Sequence, residues 1–265
     1  MIFGIDAGNT QITLGCIEGR QVKKVARIET LKRKTEYEYA MNFRSILEQY
    51  ELNPEQFEGA VICSVVPELT SVLKTAVEMV FGIEALVIGA GIKTGLNIGI
   101  DDPAELGGDL VVGAVAALEI IKPPLIIIDM GTATTISVID KKGRLLGGAI
   151  MPGPAVSVEA LAMFTSQLPR ISLEAPQRCI SSNTIDCMNS GAVFGTAASI
   201  DGMIDRIHEE LGEKAETIVT GGIGKRIAPH CRRPMRIEDD LMLQGLGIIW
   251  ERNRGKDAIK NKKQK

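Results

Sequence analysis

The sequence predicts an α/β protein made of two similar domains that face each other across a cleft. Three observations carry this expectation. A strand–Asp–turn–strand–turn–strand unit occurs twice, at residues 2–30 and again at 125–150, and an internal repeat of that kind marks a duplicated fold. Short apolar segments with strand character alternate with amphipathic helical ones, as in layered α/β domains. The chain has 265 residues, room for one large domain or two modest ones at roughly 150 residues each.

The elements follow in order. Residues 2–5 (Ile-Phe-Gly-Ile) and 11–17 flank Asp6-Ala7-Gly8-Asn9-Thr10 and read as a hairpin around a tight turn. Residues 21–30 supply a third strand. Tyr39, Phe43, Ile46 and Leu47 fall at helical spacing within 36–50. A short apolar strand at 60–66 ends at Pro67; a helix at 69–81 and a strand at 83–88 come next. Leu110 to Leu118 is an apolar helical run. The repeat then opens with Leu125-Ile-Ile-Ile-Asp129, Met130-Gly131-Thr132, a strand at 136–140, a turn at Gly143 and a strand at 145–150. Asp6 and Asp129 thus occupy corresponding positions. Helical patterns follow at 157–168, at 184–211 with a break at Gly191 or Gly195, and at 240–252. A last strand, 217–220, runs into Gly221-Gly222. We expect an N-terminal domain at 1–118, a C-terminal domain at 119–253 and a frayed basic tail at 254–265.

Composition excludes several classes of function. With 30 Lys+Arg against 33 Asp+Glu, the chain has no global electrostatic footprint for nucleic acid. Hydrophobic residues at 45% and charged ones at 24% are globular proportions. No apolar run approaches the ~20 residues of a membrane span, and the N-terminus lacks the basic region of a signal peptide. The five cysteines form no CxxC pair, which suits reduced thiols in a cytoplasmic protein. Two histidines leave little material for a His-rich metal site or a Ser-His or Cys-His nucleophile.

A strand ending in Asp, followed by Gly and a hydroxyl or amide residue, can hold Mg²⁺ or its water shell through the carboxylate. Its backbone N–H groups can meet phosphate oxygens. One such loop reads equally as an ordinary turn; two copies at equivalent positions point to function at Asp6 and Asp129. Gly221-Gly222 would let a flat group such as adenine lie on the backbone, or be a plain strand-to-helix turn. There is no GxxxxGK[ST] or GxGxxG sequence in place. Asp109, after Gly107-Gly108 and before an apolar helix, reads as a base that could orient a hydroxyl or as a helix N-cap. His208 reads as a surface side chain, the Arg232-Arg233 and Arg236 group as a solvated loop.

In order along the chain, Phe3-Gly-Ile-Asp6-Ala-Gly-Asn-Thr10, Ser64-Val-Val-Pro67, Gly91-Ile-Lys-Thr-Gly95, Gly107-Gly-Asp109, Asp129-Met-Gly-Thr-Ala-Thr-Thr135, Gly148-Ala-Ile-Met-Pro-Gly153, Leu168-Pro169, Asn183-Thr184 and Thr220-Gly-Gly222 resemble type III pantothenate kinase. That family belongs to the acetate and sugar kinase/Hsp70/actin superfamily. The resemblance implies two duplicated ribonuclease-H-like (actin-like ATPase) domains facing across a nucleotide cleft. It implies a homodimer that phosphorylates the primary hydroxyl of pantothenate with ATP, the first step of coenzyme A synthesis. Asp6, Ala7, Gly8, Asn9, Thr10, Gln11, Ile12 and Thr13 would form the first ATP phosphate loop, Thr132 a second phosphate contact, and Gly221 and Gly222 a further nucleotide contact. Asp109 would be the proton acceptor. Mg²⁺ would travel with ATP, near Asp6 through phosphate or water, and Asp129 would bind a monovalent cation, K⁺ or NH₄⁺.

Gly107, Gly108, Asp109, Leu110 and Thr184 would line the pantothenate pocket, with Ile100 where the family often has tyrosine. Leu110 departs from the family's commonest form, Gly-Ala-Asp-Arg, whose arginine suits a carboxylate. Either Lys93, the Arg178 region or a residue of a partner subunit replaces that charge, or the acceptor is another small hydroxy compound. A non-catalytic nucleotide-binding regulator is the third reading.

Overall fold

The computed structural model describes residues 1–254; beyond Arg254 the expected basic tail lies outside the described residues. The chain forms β1 (Ile2–Ala7), β2 (Gln11–Glu18), β3 (Gln21–Glu29), α1 (Glu36–Gln49), β4 (Gly59–Ser64), α2 (Pro67–Phe81), β5 (Ala85–Val87), β6 (Asn97–Ile98) and α3 (Gly108–Ile120). It continues with β7 (Leu125–Met130), β8 (Ala133–Ile139), β9 (Arg144–Pro152), α4 (Pro154–Phe164), α5 (Thr184–Ser190), α6 (Thr196–Leu211), β10 (Glu216–Thr220), α7 (Gly224–Ile227), β11 (Arg236–Ile237) and α8 (Leu241–Asn253). Two units emerge. The first holds Met1–Leu96, Asp102–Ala116 and residues 240–254; the second holds Asn97–Asp101 and Ala117–Asp239.

In the first unit the sheet order is β3-β2-β1-β4-β5. The first three strands are an antiparallel meander, and β4 and β5 add in parallel. Side chains alternate across a strand with period two, so each face meets different helices. Phe3, Ile5 and Ala7 share an apolar cluster with Tyr39 and Phe43 of α1 and Leu69 and Leu73 of α2. Ile2, Val61 and Cys63 share another with Val111 and Val112 of α3 and Leu243 and Leu246 of α8. Residues 111–117 of α3 are all buried, as expected of a helix that is apolar on every side.

The second unit repeats the plan. Its sheet order is β11-β10-β7-β8-β9-β6, the first topology with β6 added at one edge. The repeat extends to single residues. β1 and β7 each have four buried positions, a half-buried Asp and a buried final residue. The register shifts in the second hairpin of each meander, after Cys16 and after Val138. Ile200 and Ile204 of α6 pack with Ile126 and Ile128 of β7.

The expected duplication is therefore present, and most expected elements are where their patterns lie. The 184–211 pattern resolves into α5 and α6, joined by a π-helical turn at Gly191–Gly195 whose ends are the two glycines expected to break it. α4 begins at Pro154 rather than 157, because proline suits a first helical position. The chain passes between units after Ala116, near the expected boundary at 118/119, while the residues from 240 rejoin the first unit. Among the described residues no helix is long and apolar enough to cross a membrane.

Candidate active site

The first unit gathers Asp6, Cys63 and Asp109. Asp6 is the fifth residue of β1, so alternation puts it on the face of Ile2 and Gly4, toward α3 and α8. Parallel pairing sets Asp6 beside Cys63 of β4, and antiparallel pairing sets it beside Thr13 of β2. α3 comes down on this spot at its N-terminal end. A Cβ on Gly108 would lie 3.4 Å from the Cys63 Sγ and 3.4 Å from Ile88, so the helix start rests on the thiol in ordinary contact. Burial first, and then the negative charges of Asp6 and Asp109, push the Cys63 thiol well above its ordinary value. A thiol that feels both carboxylates ties the two to one neighbourhood.

Asp109 is the second residue of α3, inside the first turn rather than at the cap position, which corrects the N-cap reading. Its Oδ1 accepts the Leu110 N–H at 2.9 Å. The carboxylate folds back over Gly107, where a Cβ would sit 2.4 Å from Oδ1; a side chain there would have to turn the carboxylate aside. Negative charge is favourable at this positive end of the helix dipole. Leu110 is half-buried.

The Asp6–Thr13 loop is braced from a residue the sequence did not single out. Thr30 donates its hydroxyl to the Gly8 carbonyl at 2.7 Å and its N–H to the Thr10 carbonyl at 3.0 Å. Gly8 donates its N–H to the Gln11 carbonyl. Asn9, Thr10 and Gln11 are exposed at the tip, whereas Ala7 and Ile12 are fully buried in the apolar core. A side-chain role toward a ligand is thereby excluded for Ala7 and Ile12; the two are register partners in the ladder, and the Ala7 carbonyl accepts the Val65 N–H at 3.0 Å.

In the second unit Asp129 meets the other glycine loop. Gly221 has φ +89°, and a Cβ there would lie 2.5 Å from the Asp129 Oδ1 and 2.6 Å from the Met130 carbonyl oxygen. Thr132 is exposed, and its carbonyl accepts the Gly153 N–H at 3.0 Å. Asp129, Gly131, Thr132, Gly153 and Gly221 thus form one glycine-walled cluster. Gly222 has nothing within 4 Å of a would-be Cβ, leaving its backbone open to a flat ligand.

The remaining expected residues lie in the second unit. Thr184 is exposed at the start of α5, and the cap is Asn183, whose side chain accepts the Asp186 N–H at 2.9 Å. Ile100 is half-buried near Gly147. His208 is half-buried rather than on the surface, its Nε2 3.1 Å from the Ala215 carbonyl oxygen. Arg233 pairs with Asp205 at 2.8 Å and Arg236 with Glu238 at 2.5 Å, a solvated ionic loop. Among the described residues no group of three or more His, Cys, Asp or Glu side chains could cage a metal.

A family model described as type III pantothenate kinase matches residues 2–206. Type III pantothenate kinases from Moorella thermoacetica and from an Exiguobacterium species are 40% and 42% identical to this chain over 253 residues. Each alignment covers 96% of this chain, and 100% and 99% of the two relatives. Among solved structures, a chain assigned as a 2-dehydro-3-deoxygalactonokinase from Sinorhizobium meliloti superposes with a TM-score of 0.60, at 12% identity, over 95% of this chain and 99% of that one. The polyphosphate/ATP-glucomannokinase of Arthrobacter sp. strain KM does so at 0.50 and 15%, over 95% and 98%. Likeness at such low identity speaks to the fold alone, and with the two matching sheets it establishes a pair of ribonuclease-H-like domains.

Proposed function

The chain belongs to the type III pantothenate kinase family, and we propose from that premise how its residues carry the reaction. The enzyme transfers the γ-phosphoryl group of ATP to the primary hydroxyl of pantothenate, the opening step of coenzyme A synthesis. Such transfer is mostly positioning and charge neutralisation. The observation that carries the assignment of roles is the meeting of Asp6 and Asp109 around Cys63.

Asp109 accepts a hydrogen bond from the acceptor's hydroxyl, aims that oxygen at the γ-phosphorus and takes its proton late in the reaction. The exposed Asn9, Thr10 and Gln11, with Thr13, hold phosphate oxygens, and Gly8 shapes the turn that presents them. Thr132 adds a hydroxyl, and the backbone of Gly221 and Gly222 meets the nucleotide. Gly107, Gly108, Leu110, Thr184 and Ile100 shape the acceptor pocket.

Asp6 and Asp129 fit cations that bring most of their own ligands. Each offers one carboxylate beside glycine-lined backbone, and a metal shared with ATP phosphates and water needs only one or two protein carboxylates. Asp6 would hold Mg²⁺ through phosphate or water, and Asp129 a K⁺ or NH₄⁺. Bound there, the cations would offset charge on the phosphates.

The enzyme works in the cytoplasm as a homodimer. Leu161, Met163 and Phe164, 42%, 64% and 82% exposed at the end of α4, support that assembly, since neighbouring exposed apolar side chains mark a contact site. One observation favours a second reading, a kinase of the same fold for another small hydroxy compound: Leu110 has no charge to offer a carboxylate. ADP release by purified protein separates the two, measured with pantothenate, with other primary alcohols and with no acceptor, with and without potassium. Turnover with pantothenate above all others is expected. ATP binding without pantothenate-dependent turnover would sink the first reading.

A further inference from the structure

One row of side chains crosses the first unit's sheet at the end where the Asp6–Thr13 loop lies. Register pairs Cys63 of β4 with Asp6 of β1, Asp6 with Thr13 of β2, and Thr13 with Arg27 of β3. Register partners point to the same face of a sheet. That face is the one covered by α3 and α8. Val25, two residues before Arg27, packs against the cluster of Ile17, Val111 and Leu243, while Ala26 and Ile28 pack against the opposite one with Tyr39. Strand spacing sets the base of the Arg27 side chain about 5 Å from that of Thr13 and about 10 Å from that of Asp6.

The loop from Asp6 to Thr13 holds no Lys, Arg or His, and Asp6 and Asp109 bring carboxylates to the same neighbourhood. A polyphosphate bound there adds negative charge that a transfer reaction has to neutralise. β3 is an edge strand, and cations on an edge strand ordinarily serve to keep other strands off. Its three cations differ, however. Lys23 pairs with Glu18 at 3.5 Å and donates to the Gln21 side chain, and Lys24 lies 5.4 Å from the centre of the Tyr50 ring. Arg27 is exposed and has no hydrogen-bond or ion-pair partner among the described residues. It alone of the three stands in the row of Asp6 and Thr13.

A guanidinium presents a planar fork of N–H donors that matches two phosphate oxygens. Asp109 acts on the γ-phosphate at the Cys63 end of the row, and Arg27 stands at the other end, so its partner is the next phosphate back. We propose that Arg27 is a further catalytic residue of the transfer, donating to the β-phosphate of ATP beside Thr13. As the bond between the bridging oxygen and the γ-phosphorus breaks, its electron pair stays on that oxygen. The acceptor oxygen bonds to the γ-phosphorus and its proton passes to Asp109. Arg27 offsets the charge that grows on the departing ADP. This assignment rests on the pantothenate kinase reading and names the cation that the first phosphate loop lacks.

The test is calorimetric binding of ADP and of AMP to the wild-type protein, Arg27→Gln and Arg27→Lys, with steady-state kinetics alongside. Arg27→Gln is expected to weaken ADP binding roughly ten- to a hundredfold, the size of a hydrogen bond to a charged group. Binding of AMP, which has no β-phosphate, should stay within about twofold. kcat/KM for ATP should fall by at least the factor seen for ADP, KM for pantothenate should stay within about twofold, and Arg27→Lys should recover part of the loss. The denaturation midpoint should not move, because the side chain is exposed. Unchanged ADP binding and turnover, or an equal loss for ADP and AMP, overturns the assignment while leaving the kinase reading intact. ADP binding that depends on Arg27 in a protein that turns over no pantothenate would support the assignment and refute the pantothenate kinase reading.

Discussion

Gly221→Ala tests how tightly Asp129 is held by the loop that follows β10. The residue has φ +89°, where an L side chain costs roughly 1–2 kcal/mol. Its new methyl would lie 2.5 Å from the Asp129 Oδ1, 2.6 Å from the Met130 oxygen and 2.7 Å from the Met130 nitrogen. Those distances are roughly 1 Å short of ordinary contact, and two of the three atoms are backbone and cannot swing aside. Overpacking of this kind costs about 1–3 kcal/mol, so the whole loss is about 2–5 kcal/mol, a large part of a typical domain's 5–15 kcal/mol. If Asp129 yields instead, a displacement near 1 Å costs about a hundredfold in kcat/KM.

Guanidinium unfolding and steady-state kinetics measure both losses. Gly222→Ala is the internal control: its φ is not positive and nothing lies within 4 Å, so it should keep stability and change chiefly KM for ATP. A Gly221→Ala enzyme with wild-type stability and activity would refute the close approach on which the Asp129 cluster rests.

Further outcomes are expected. Asp109→Asn should lower kcat by about 10²–10⁴ while ATP affinity, read by calorimetry, stays within about twofold; an unchanged rate would make Asp109 a mere first-turn residue. Thr134 is fully buried with an unpartnered hydroxyl, and its counterpart in the first repeat is Ile12. Thr134→Val should therefore raise the unfolding free energy by up to about 1 kcal/mol, and a loss would mean that the hydroxyl has a use. Burial pushes the Cys16 and Cys231 thiols from 9.0 up to about 11. In that window the unfolded chain has released protons that the native chain keeps, so stability falls as pH rises from 9 toward 11. Denaturation midpoints across that range should drop, and Cys16→Ala should flatten the slope; a level profile would count against the buried thiols.

The two meanders were legible because period two and the Asp–Gly turn repeat in both, down to the half-buried Asp6 and Asp129. The site was legible where a residue type needs a special backbone, as at Gly221, whose φ is +89°. What could not be read depends on partners distant in sequence. α8 shows an apolar face in its sequence, yet nothing in that pattern says that Leu243 fills the space beside Gly4 and Gly15 of the first sheet. Thr30 braces the first loop only because β3 returns beside it, and Cys63 matters only because α3 lands on it. β6 and β11 are two residues each, too short to carry a period. Two signals were present and outweighed: Pro154 marks the start of α4, and Asn183 with Asp186 three residues on marks the cap of α5.

The most direct test of the central claim is phosphorus NMR of the reaction of ATP with pantothenate and the purified protein. The expected result is a growing phosphomonoester signal coupled to the protons of a CH₂ group, matched by loss of the γ-phosphate of ATP. The contradicting result is a γ-phosphate that stays in place, or one that appears only as inorganic phosphate.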